Sequence, residues 1–206
     1  LKSFAKGKEF KAQHVHVIGA GVMGGDIAAW CALRGLRVTL QDQTYEQIAP
    51  AIGRAYALYK KKLRKPRLIQ AAMDNLIPDP EGYGMARADV IIEAVFENLA
   101  IKQEIMKKIE KIAKKNAIIA TNTSSIPLDE MSSVMDDPKR LVGIHFFNPV
   151  AKMDLVEIVS SAQTSKKVEL YSCSFVNQIG KLPLPVKSSP GFLVNRVLMP
   201  YLMECV

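Results

Sequence analysis

The sequence predicts an α/β protein whose strands form a doubly wound, mostly parallel sheet. Short runs of apolar and β-branched residues alternate with segments of helical periodicity along most of the 206-residue chain. Most of these runs are apolar at nearly every position, which is typical of strands buried on both faces of a parallel sheet. Strand and helix in repeated alternation then place helices on both sides of that sheet.

Seven segments are predicted as strands from their apolar and β-branched content. In chain order they are HVHVIG (14–19), RVTLQD (37–42), ADVIIEAV (88–95), AIIATN (117–122), LVGIHFF (141–147), LVEIV (155–159) and LPLPV (182–186).

Three helices have recognisable ends. The first follows the glycines after residue 18 and ends at Gly35, a residue type that suits the left-handed position after a helix. The second begins after Asn98, and the third runs from about Ser165 to Gly180. Asn and Ser are both favourable N-caps, so these starts are well defined.

The segment 44–65 is less regular. Thr44 and Gln47 resemble a capping box, whereas Pro50 and Gly53 occupy positions inside the expected helix. Because proline lacks a backbone N–H and crowds the preceding turn, we expect a kink or a late helix start here.

The composition, 49% hydrophobic and 23% charged, is that of a soluble globular protein. No apolar stretch approaches the ~20 residues that span a bilayer, and LKSFAKGKEFKAQ (1–13) lacks the apolar core of a secretory signal. We therefore expect an intracellular, cytoplasmic protein. Three widely spaced cysteines, Cys31, Cys173 and Cys205, argue against a disulfide framework and a zinc site, so no metal is predicted.

The formal net charge of +8 raises the question of a nucleic-acid partner. Basic residues cluster in YKKKLRKPR (59–67) and KKIEKIAKK (107–115). In and around the second cluster, glutamate and lysine stand four residues apart twice, opposite a row of isoleucines, as on a solvated amphipathic helix. The first cluster has no acidic partners and fits a phosphate-bearing small molecule as well as RNA.

A glycine motif follows the first strand. Gly19, Gly21 and Gly24 form GxGxxG between a strand and a helix, where bare backbone permits a tight turn, close approach to a pyrophosphate, and close helix packing. The second strand ends in Asp42, a carboxylate that can accept hydrogen bonds from a ribose. Its charge would repel a ribose phosphate, so the sequence predicts a Rossmann-type fold that binds NAD rather than NADP.

Asp26 is an unusual neighbour of this motif. A carboxylate in the first turn of a helix is stabilised by the helix dipole. An acid beside a bound pyrophosphate would also repel it, so Asp26 must point away from the cofactor or weaken its binding.

Two polar residues interrupt apolar strands in the second half of the chain. His145 ends the run LVGIH, and Glu157 stands in the middle of LVEIV. Burying such groups without partners costs free energy, so we expect them to pair. A carboxylate that accepts the proton of one imidazole nitrogen leaves the other nitrogen to act as a general base in alcohol oxidation. A satisfied core histidine is the alternative interpretation.

Six motifs occur in one order: GAGVMGGDIA, EAVFENLAIK, TNTSS, GIHFFNPV, LVEIV and SSPGFLVNRVLMPYLMEC. Together they resemble the L-3-hydroxyacyl-CoA dehydrogenase family from about His14 to the end of the chain. The preceding KSFAKGKEFKAQ is similar to the connector of bacterial multifunctional fatty-acid oxidation proteins, in which an enoyl-CoA hydratase region precedes the dehydrogenase.

The resemblance implies four catalytic residues. His145 would be the base and Glu157 its orienting partner. Ser124 would contact the substrate oxygen near the nicotinamide, although it could also cap the following helix. Asn195 would hydrogen-bond near the reacting oxygen, although an asparagine on a helix could simply be solvated.

The resemblance also extends the set of cofactor residues and marks one departure. Asp26 stands where the family commonly has a glycine, which puts the tightness of NAD binding in doubt. The residues expected at the cofactor are Gly19, Gly21, Val22, Met23, Gly24, Asp42, Glu97, Lys102, Ser124 and Asn148.

The implied activity is NAD-dependent oxidation of L-3-hydroxyacyl-CoA to 3-ketoacyl-CoA in β-oxidation. We expect a connector at 1–13, the NAD-binding domain at 14–188, and the first helix of a C-terminal helical domain at 189–206. Because the rest of that domain would close the site, the chain alone should bind NAD but turn over poorly. Leu198 and Leu202 should be exposed or self-associated. Expected partners are the acyl-CoA substrate and either a second copy or other β-oxidation enzymes, not nucleic acid.

Two alternatives remain at this point. The first is an NAD-dependent dehydrogenase of another small 3-hydroxy acid, a class that usually relies on a lysine base. The second is a non-enzymatic module that uses its positive charge to bind nucleic acid.

Overall fold

A computed structural model describes residues 10–189 and 191–197. Its strands are β1 (His14–Ile18), β2 (Arg37–Gln41), β3 (Leu76–Pro78), β4 (Val90–Glu93), β5 (Ile118–Thr121), β6 (Leu141–Phe146), β7 (Leu155–Ser160) and β8 (Leu182–Lys187). Its α-helices are α1 (Val22–Leu33), α2 (Tyr45–Lys62), α3 (Pro66–Asp74), α4 (Leu99–Ile112), α5 (Leu128–Ser132) and α6 (Lys166–Gln178). Short 3₁₀ helices span Tyr83–Arg87 and Pro138–Arg140.

The strands form one sheet in the order β3-β2-β1-β4-β5-β6-β7-β8. The chain leaves β1 in one direction to build β2 and β3 and returns to build β4 on the other side of β1. The carboxyl ends of β1 and β4 therefore flank the crevice in which doubly wound sheets bind ligands. The predicted fold class is confirmed.

One pair of strands in the sheet, β6 and β7, is antiparallel. The connection 147–154 is too short for the dozen or more residues of a parallel crossover, so the chain turns straight back. In this pairing His145 lies directly opposite Glu157. Opposite residues of an antiparallel pair project to the same face, which brings the two side chains together.

The predicted strands are all present, and the predicted helix caps are confirmed. Asn98 Oδ1 accepts a hydrogen bond from the N–H of Ile101 at 3.1 Å. Ser165 Oγ accepts one from the N–H of Val168 at 3.3 Å. Gly35 has a φ of 85°, as a residue after a helix end requires.

Of the kink or late start expected in 44–65, the late start is wrong and the kink stays a prediction. Thr44 accepts a hydrogen bond from the N–H of Gln47, and α2 begins at Tyr45. The helix then continues through Pro50 to Lys62. The cap at Thr44 therefore defines the helix start more strongly than Pro50 opposes it.

Helices cover both faces of the sheet and bury a core on each. Adjacent residues of β4 point to opposite sides: Ile91 packs with Met85, Met106 and Met131, whereas Ile92 belongs to the larger core that includes α1, α2 and α6. Both isoleucines are fully buried. This two-sided burial explains why the strand sequence is apolar at nearly every position.

The described part of the predicted connector packs against α6. The amide of Gln178 accepts from the backbone N–H of Ala12 at 2.9 Å and donates to its carbonyl at 2.8 Å. The ring of Phe10 stacks on Tyr171. Residues 1–9, Pro190 and 198–206, including Leu198, Leu202 and Cys205, lie outside the described residues, and the division into domains stays a prediction.

Within the described ranges no helix combines the length and the apolar character needed to cross a membrane. Cys31 is buried and reduced, and burial raises the pKa of its thiol to about 12.

Candidate active site

The glycine turn after β1 has the geometry that the motif predicts. Gly19 has a φ of 102°, a conformation that side chains rarely adopt. A Cβ on Gly24 would lie 1.9 Å from the Gly19 carbonyl oxygen, so α1 can approach the turn only without one. A Cβ on Gly21 would meet nothing within 4 Å, which leaves open space at the start of α1. No side chain caps this helix start, so its first N–H groups remain available to an anion.

Two adjacent cavities meet at this turn. The first, about 680 Å³, is lined by Gly19, Asp42 and residues of β4 and α4. The second, about 530 Å³, extends toward His145 at the end of β6. Gly21 and residues 94–96 line both. A dinucleotide has two nucleoside halves joined by a pyrophosphate, and this double cavity with bare backbone at its junction fits that shape.

Asp42 joins the end of β2 to the glycine turn. Its Oδ2 accepts from the N–H of Ala20 at 2.7 Å, and its Oδ1 accepts from the N–H of Gln43 at 2.8 Å. Each carboxylate oxygen has two lone pairs, so the side chain retains acceptor capacity toward the first cavity, which it lines.

Asp26 faces α2. Arg54 Nε lies 3.3 Å from Asp26 Oδ1, and Arg54 Nη2 donates to the Gly21 carbonyl at 2.9 Å. Helix α1 begins at Val22, so Asp26 lies beyond the first turn, and its expected placement within that turn is wrong. A guanidinium thus stands between the acid and the glycine turn and offsets the acid's repulsion of a phosphate.

A buried ion pair lies beneath the second cavity. Lys102 Nζ contacts Glu93 Oε1 at 2.7 Å and Glu97 Oε2 at 3.4 Å, and it donates to the Val95 carbonyl at 3.1 Å. Thr121 donates to the other oxygen of Glu93 at 2.7 Å. Lys102 and Glu93 are 1% and 0% exposed, so this ammonium group is fully committed to protein partners. Direct contact of Lys102 with a cofactor stays a prediction.

Glu97 organises the loop after β5. It accepts from the backbone N–H of Ser124 at 2.7 Å and from the hydroxyl groups of Thr123 and Ser124. Burial alone would raise the pKa of the Glu97 carboxyl, but these hydrogen bonds and the charge of Lys102 lower it overall.

Ser124 is not a helix cap. Helix α5 starts at Leu128 after Pro127, and no side chain caps it. Ser124 instead lines the second cavity together with Glu97, so the alternative interpretation as an N-cap is wrong.

His145 and Glu157 form the pair that the sequence predicts. Nδ1 of His145 lies 2.8 Å from Oε2 of Glu157. Because a carboxylate only accepts, Nδ1 carries the proton in this contact, and Nε2 of the neutral ring is left as the acceptor. His145 is 6% exposed and lines the second cavity, held between the rings of Phe147 and Phe192.

The second oxygen of Glu157 holds the segment that follows β8. Oε1 accepts from the N–H groups of Leu193 at 3.0 Å and Val194 at 2.8 Å, at the start of a helical turn that carries Asn195. Burial alone would raise the pKa of the Glu157 carboxyl, but the hydrogen bonds from His145, Val194 and Leu193 lower it overall. One carboxylate therefore positions both His145 and the turn of Asn195.

The remaining predicted residues also lie at this place. Val22, Met23, Asn148 and Asn195 line the second cavity. Val22 is 54% exposed, an apolar side chain presented to the cavity rather than to the core. The predicted catalytic and cofactor residues therefore converge on one double cavity, although their individual roles stay predictions.

Two residues that sequence reasoning missed support the site. Glu93 is a buried acid in the apolar run ADVIIEAV, the same signal that identified Glu157. Asn122, directly after β5, accepts from the N–H of Phe146 through its Oδ1 at 2.9 Å and lines the second cavity. A polar residue at the carboxyl end of a parallel strand is the signal that could have found it.

Comparison with known proteins gives consistent matches. The family model described as "3-hydroxyacyl-CoA dehydrogenase, NAD binding domain" matches residues 14–189. The fatty acid oxidation complex subunit alpha of Psychrobacter sp. (strain PRwf-1) is 37% identical over 208 residues, which cover 98% of this chain and 29% of that protein. The chain thus spans less than a third of the length of this relative.

Solved structures share the fold as well. 3-Hydroxybutyryl-CoA dehydrogenase from Escherichia coli K12 substr. MG1655 superposes with a TM-score of 0.90 at 34% identity, over 94% of this chain and 42% of that one. The (S)-3-hydroxybutyryl-CoA dehydrogenase of Ralstonia eutropha gives 0.89 at 35% identity, over 94% of this chain and 70% of that one.

Proposed function

We propose that this chain, which belongs to the 3-hydroxyacyl-CoA dehydrogenase family through its NAD binding domain, carries the base for oxidation of L-3-hydroxyacyl-CoA to 3-ketoacyl-CoA. The observation that carries the proposal is the contact of His145 with Glu157 in a cavity that begins at the glycine turn.

The double cavity supplies the contacts for NAD. Asp42 accepts hydrogen bonds from the adenosine ribose, and the start of α1 at Gly21 receives the pyrophosphate. Residues of the second cavity, among them Met23 and Asn148, enclose the nicotinamide half. When bound there, NAD supplies the acceptor for the hydride that leaves the hydroxyl-bearing carbon.

His145 takes the proton of the substrate hydroxyl. Glu157 fixes the protonated nitrogen at Nδ1, so Nε2 presents its lone pair to the cavity. The buried carboxylate then stabilises the imidazolium that forms. Ser124 and Asn195 line the same cavity and place hydrogen-bond donors near the substrate oxygen. General-base catalysis of this kind contributes about a hundred- to ten-thousand-fold.

The lysine-base alternative receives no support from this site. Lys102 is the one lysine among the described residues that line the second cavity. Its ammonium group contacts Glu93, Val95 and Glu97. Its side chain is 1% exposed, so a substrate in the cavity has little access to it.

The proposal also covers the larger protein in which this chain would act. We infer that the chain is the dehydrogenase region of a larger fatty-acid oxidation subunit, with a connector at 1–13 and the first helix of a helical domain in 189–206. The similarity to subunits of the fatty acid oxidation complex supports this, as does the short share of their length that the chain covers. A cytoplasmic location and association with other β-oxidation enzymes belong to the same proposal.

Binding and turnover of the 206-residue chain test the proposal. We expect NADH to bind, with fluorescence titration as the readout, and acetoacetyl-CoA to oxidise it slowly, measured as loss of NADH absorbance. Free acetoacetate should give a much lower rate than its CoA ester. Equal rates for the acid and the ester would favour a small hydroxy-acid dehydrogenase, and absence of NADH binding would overturn the proposal.

A further inference from the structure

A third cavity, of about 260 Å³, lies at the opposite edge of the sheet from the active site. It is lined by Ile118, the first residue of β5, and by Arg140, directly before β6. The other end of β5 leads to Asn122 in the second cavity. At about 3.3 Å per residue, the strand separates the two places by roughly 13 Å.

The lining of this cavity is strongly basic. Among the described lining residues, Asp137 is the one with a carboxylate side chain. The carboxylate of Glu110, nearby, accepts hydrogen bonds from the backbone N–H groups of Asp136 and Asp137 rather than from a lysine. Like charges that lie close together repel one another, and an anion would relieve this repulsion. The cationic lining residues are Lys115, Lys139, Arg140 and Lys167.

Neighbouring acids are engaged elsewhere. Asp89 pairs with Lys114 at 2.9 Å, and Glu169 pairs with Lys166. Asp137 therefore offsets one of the four positive charges of the lining, and the described residues form no ion pair with those four side chains.

Arg140 is held in place and has donors to spare, because no hydrogen bond among the described residues uses its Nη1 or its Nε. Its Nη2 donates to the carbonyls of Lys114 and Ala117, which fixes the guanidinium between them. Its Nε is buried and has no hydrogen-bond partner among the described residues. A buried donor without an acceptor is costly, so a small shift of the side chain that let a ligand in the cavity reach Nε would be stabilising. The guanidinium fork is also the side-chain group best matched to oxyanions.

The N-terminus of α6 adds to the positive electrostatic potential of the cavity. Ser165 lines the cavity and caps the N–H of Val168, at the positive end of the helix dipole. The volume lies below the ~300 Å³ at which pockets for drug-sized ligands begin. The space therefore suits one oxyanion group better than a whole nucleotide.

We propose that this cavity binds a phosphate-sized oxyanion, either free inorganic phosphate or the terminal phosphate of a small molecule. The site is separate from the dinucleotide cavities and does not depend on the proposed activity.

Titration of the chain with inorganic phosphate, followed by the backbone amide signals in NMR spectra, tests the proposal. We expect shifts at residues 115–118, 139–140 and 165–168, distinct from any at the glycine turn 19–23. Replacing two of the three exposed lysines of the lining, Lys139→Ala with Lys167→Ala, should weaken phosphate binding about tenfold, because two charges at the cavity are lost.

The matched control is Lys152→Ala with Lys187→Ala. It removes the same net charge from exposed positions that line none of the three cavities, so phosphate affinity should stay within about twofold. Equal weakening in both double variants, or phosphate shifts confined to the glycine turn, would overturn the proposal.

Thermal unfolding gives a second readout that does not depend on assignments. Phosphate should raise the Tm of the chain and of the control, because a ligand stabilises the state that binds it. At the same phosphate concentration the rise should be smaller in the variant at 139 and 167, because that variant binds phosphate more weakly. A rise of the same size in that variant contradicts the proposal.

AMP in place of phosphate separates the two sources of the anion. Tighter binding of AMP at the same amides indicates a phosphate carried by a metabolite, and equal or weaker binding indicates the free ion. Absence of shifts at the cavity with both ligands overturns the site.

Discussion

Two buried glutamates have different kinds of partner, and both partners, Lys102 and His145, line the second cavity. Glu93 at the end of β4 is paired with the ammonium group of Lys102 at 2.7 Å. Glu157 in β7 is paired with the imidazole of His145 at 2.8 Å. Both carboxylates are fully buried, and both interrupt otherwise apolar strands.

The two partners differ in the hydrogen-bonding groups that remain unused after they contact the glutamate. Lys102 donates to Glu93 and to the Val95 carbonyl, and its ammonium group lies 3.4 Å from Glu97. His145 uses one nitrogen on Glu157 and keeps the other for the cavity. A buried acid paired with lysine therefore fixes structure, whereas one paired with histidine can also support proton transfer.

The largest expected effect is on the histidine side. His145→Gln should lower the rate of acetoacetyl-CoA reduction about a hundred- to ten-thousand-fold, because glutamine cannot take up the proton. The measurement is single-turnover loss of NADH absorbance with the chain in excess. NADH affinity should remain within about twofold, since the glycine turn is untouched. Survival of both rate and affinity would show that the pair is not catalytic.

On the lysine side the expected effect is on stability. Lys102→Met leaves Glu93 buried without its cation and should lower the free energy of unfolding by about 3–5 kcal/mol. Urea unfolding measures this. Adding Glu93→Gln should recover part of the loss, because no buried charge is then left unpaired. If Lys102→Met alone is as stable as the original chain, water or another group must reach Glu93.

Lowering the pH should reduce the contribution of Glu157 to stability. The pKa of Glu157 lies below its ordinary value of 4.5, so its hydrogen bonds stabilise the fold fully above that pH. That contribution is lost as the pH falls through the lowered value. Glu157→Gln should therefore be less stable by about 1–3 kcal/mol at pH 7, with the difference shrinking below pH 4.5. Parallel stability curves for the two proteins would contradict the assignment.

The smallest expected effect comes from a pair that is partly exposed. Asp26 and Arg54 have side chains 29% and 38% exposed, so their mutual attraction is weak. Asp26→Ala frees Arg54 beside the Gly21 carbonyl and should tighten NAD binding up to about fivefold. Arg54→Ala is the opposing control and should weaken binding. Fluorescence titration with NADH measures both, and weaker binding in the Asp26 variant would contradict this arrangement.

Much of this architecture could be predicted because its signals are local. Continuous apolar runs predicted seven strands, and Asn98 and Ser165 predicted the starts of two helices. Strand β3 was missed because its three residues, Leu76–Pro78, include a proline and lie between Asn75 and Asp79, a pattern typical of a loop. It is a strand only because β2 offers an edge with which it can pair.

The site could be predicted where polar residues interrupt apolar strands. His145 and Glu157 are conspicuous in apolar strands, and the short connection 147–154 could also have predicted their antiparallel pairing. The contact of Glu157 with Leu193 and Val194 was not predictable, because it joins backbone N–H groups to a residue 36 positions away. Such contacts depend on tertiary packing rather than on residue type.

The double use of Glu157 links protonation to the docking of a neighbouring segment. If the turn at 193–194 moves away, the carboxylate loses two donors and its affinity for a proton rises. By thermodynamic reciprocity, a proton placed on the carboxylate loosens that turn by the same free energy. The proton affinity of Glu157 and the seating of the chain after β8 are therefore two readings of one coupling.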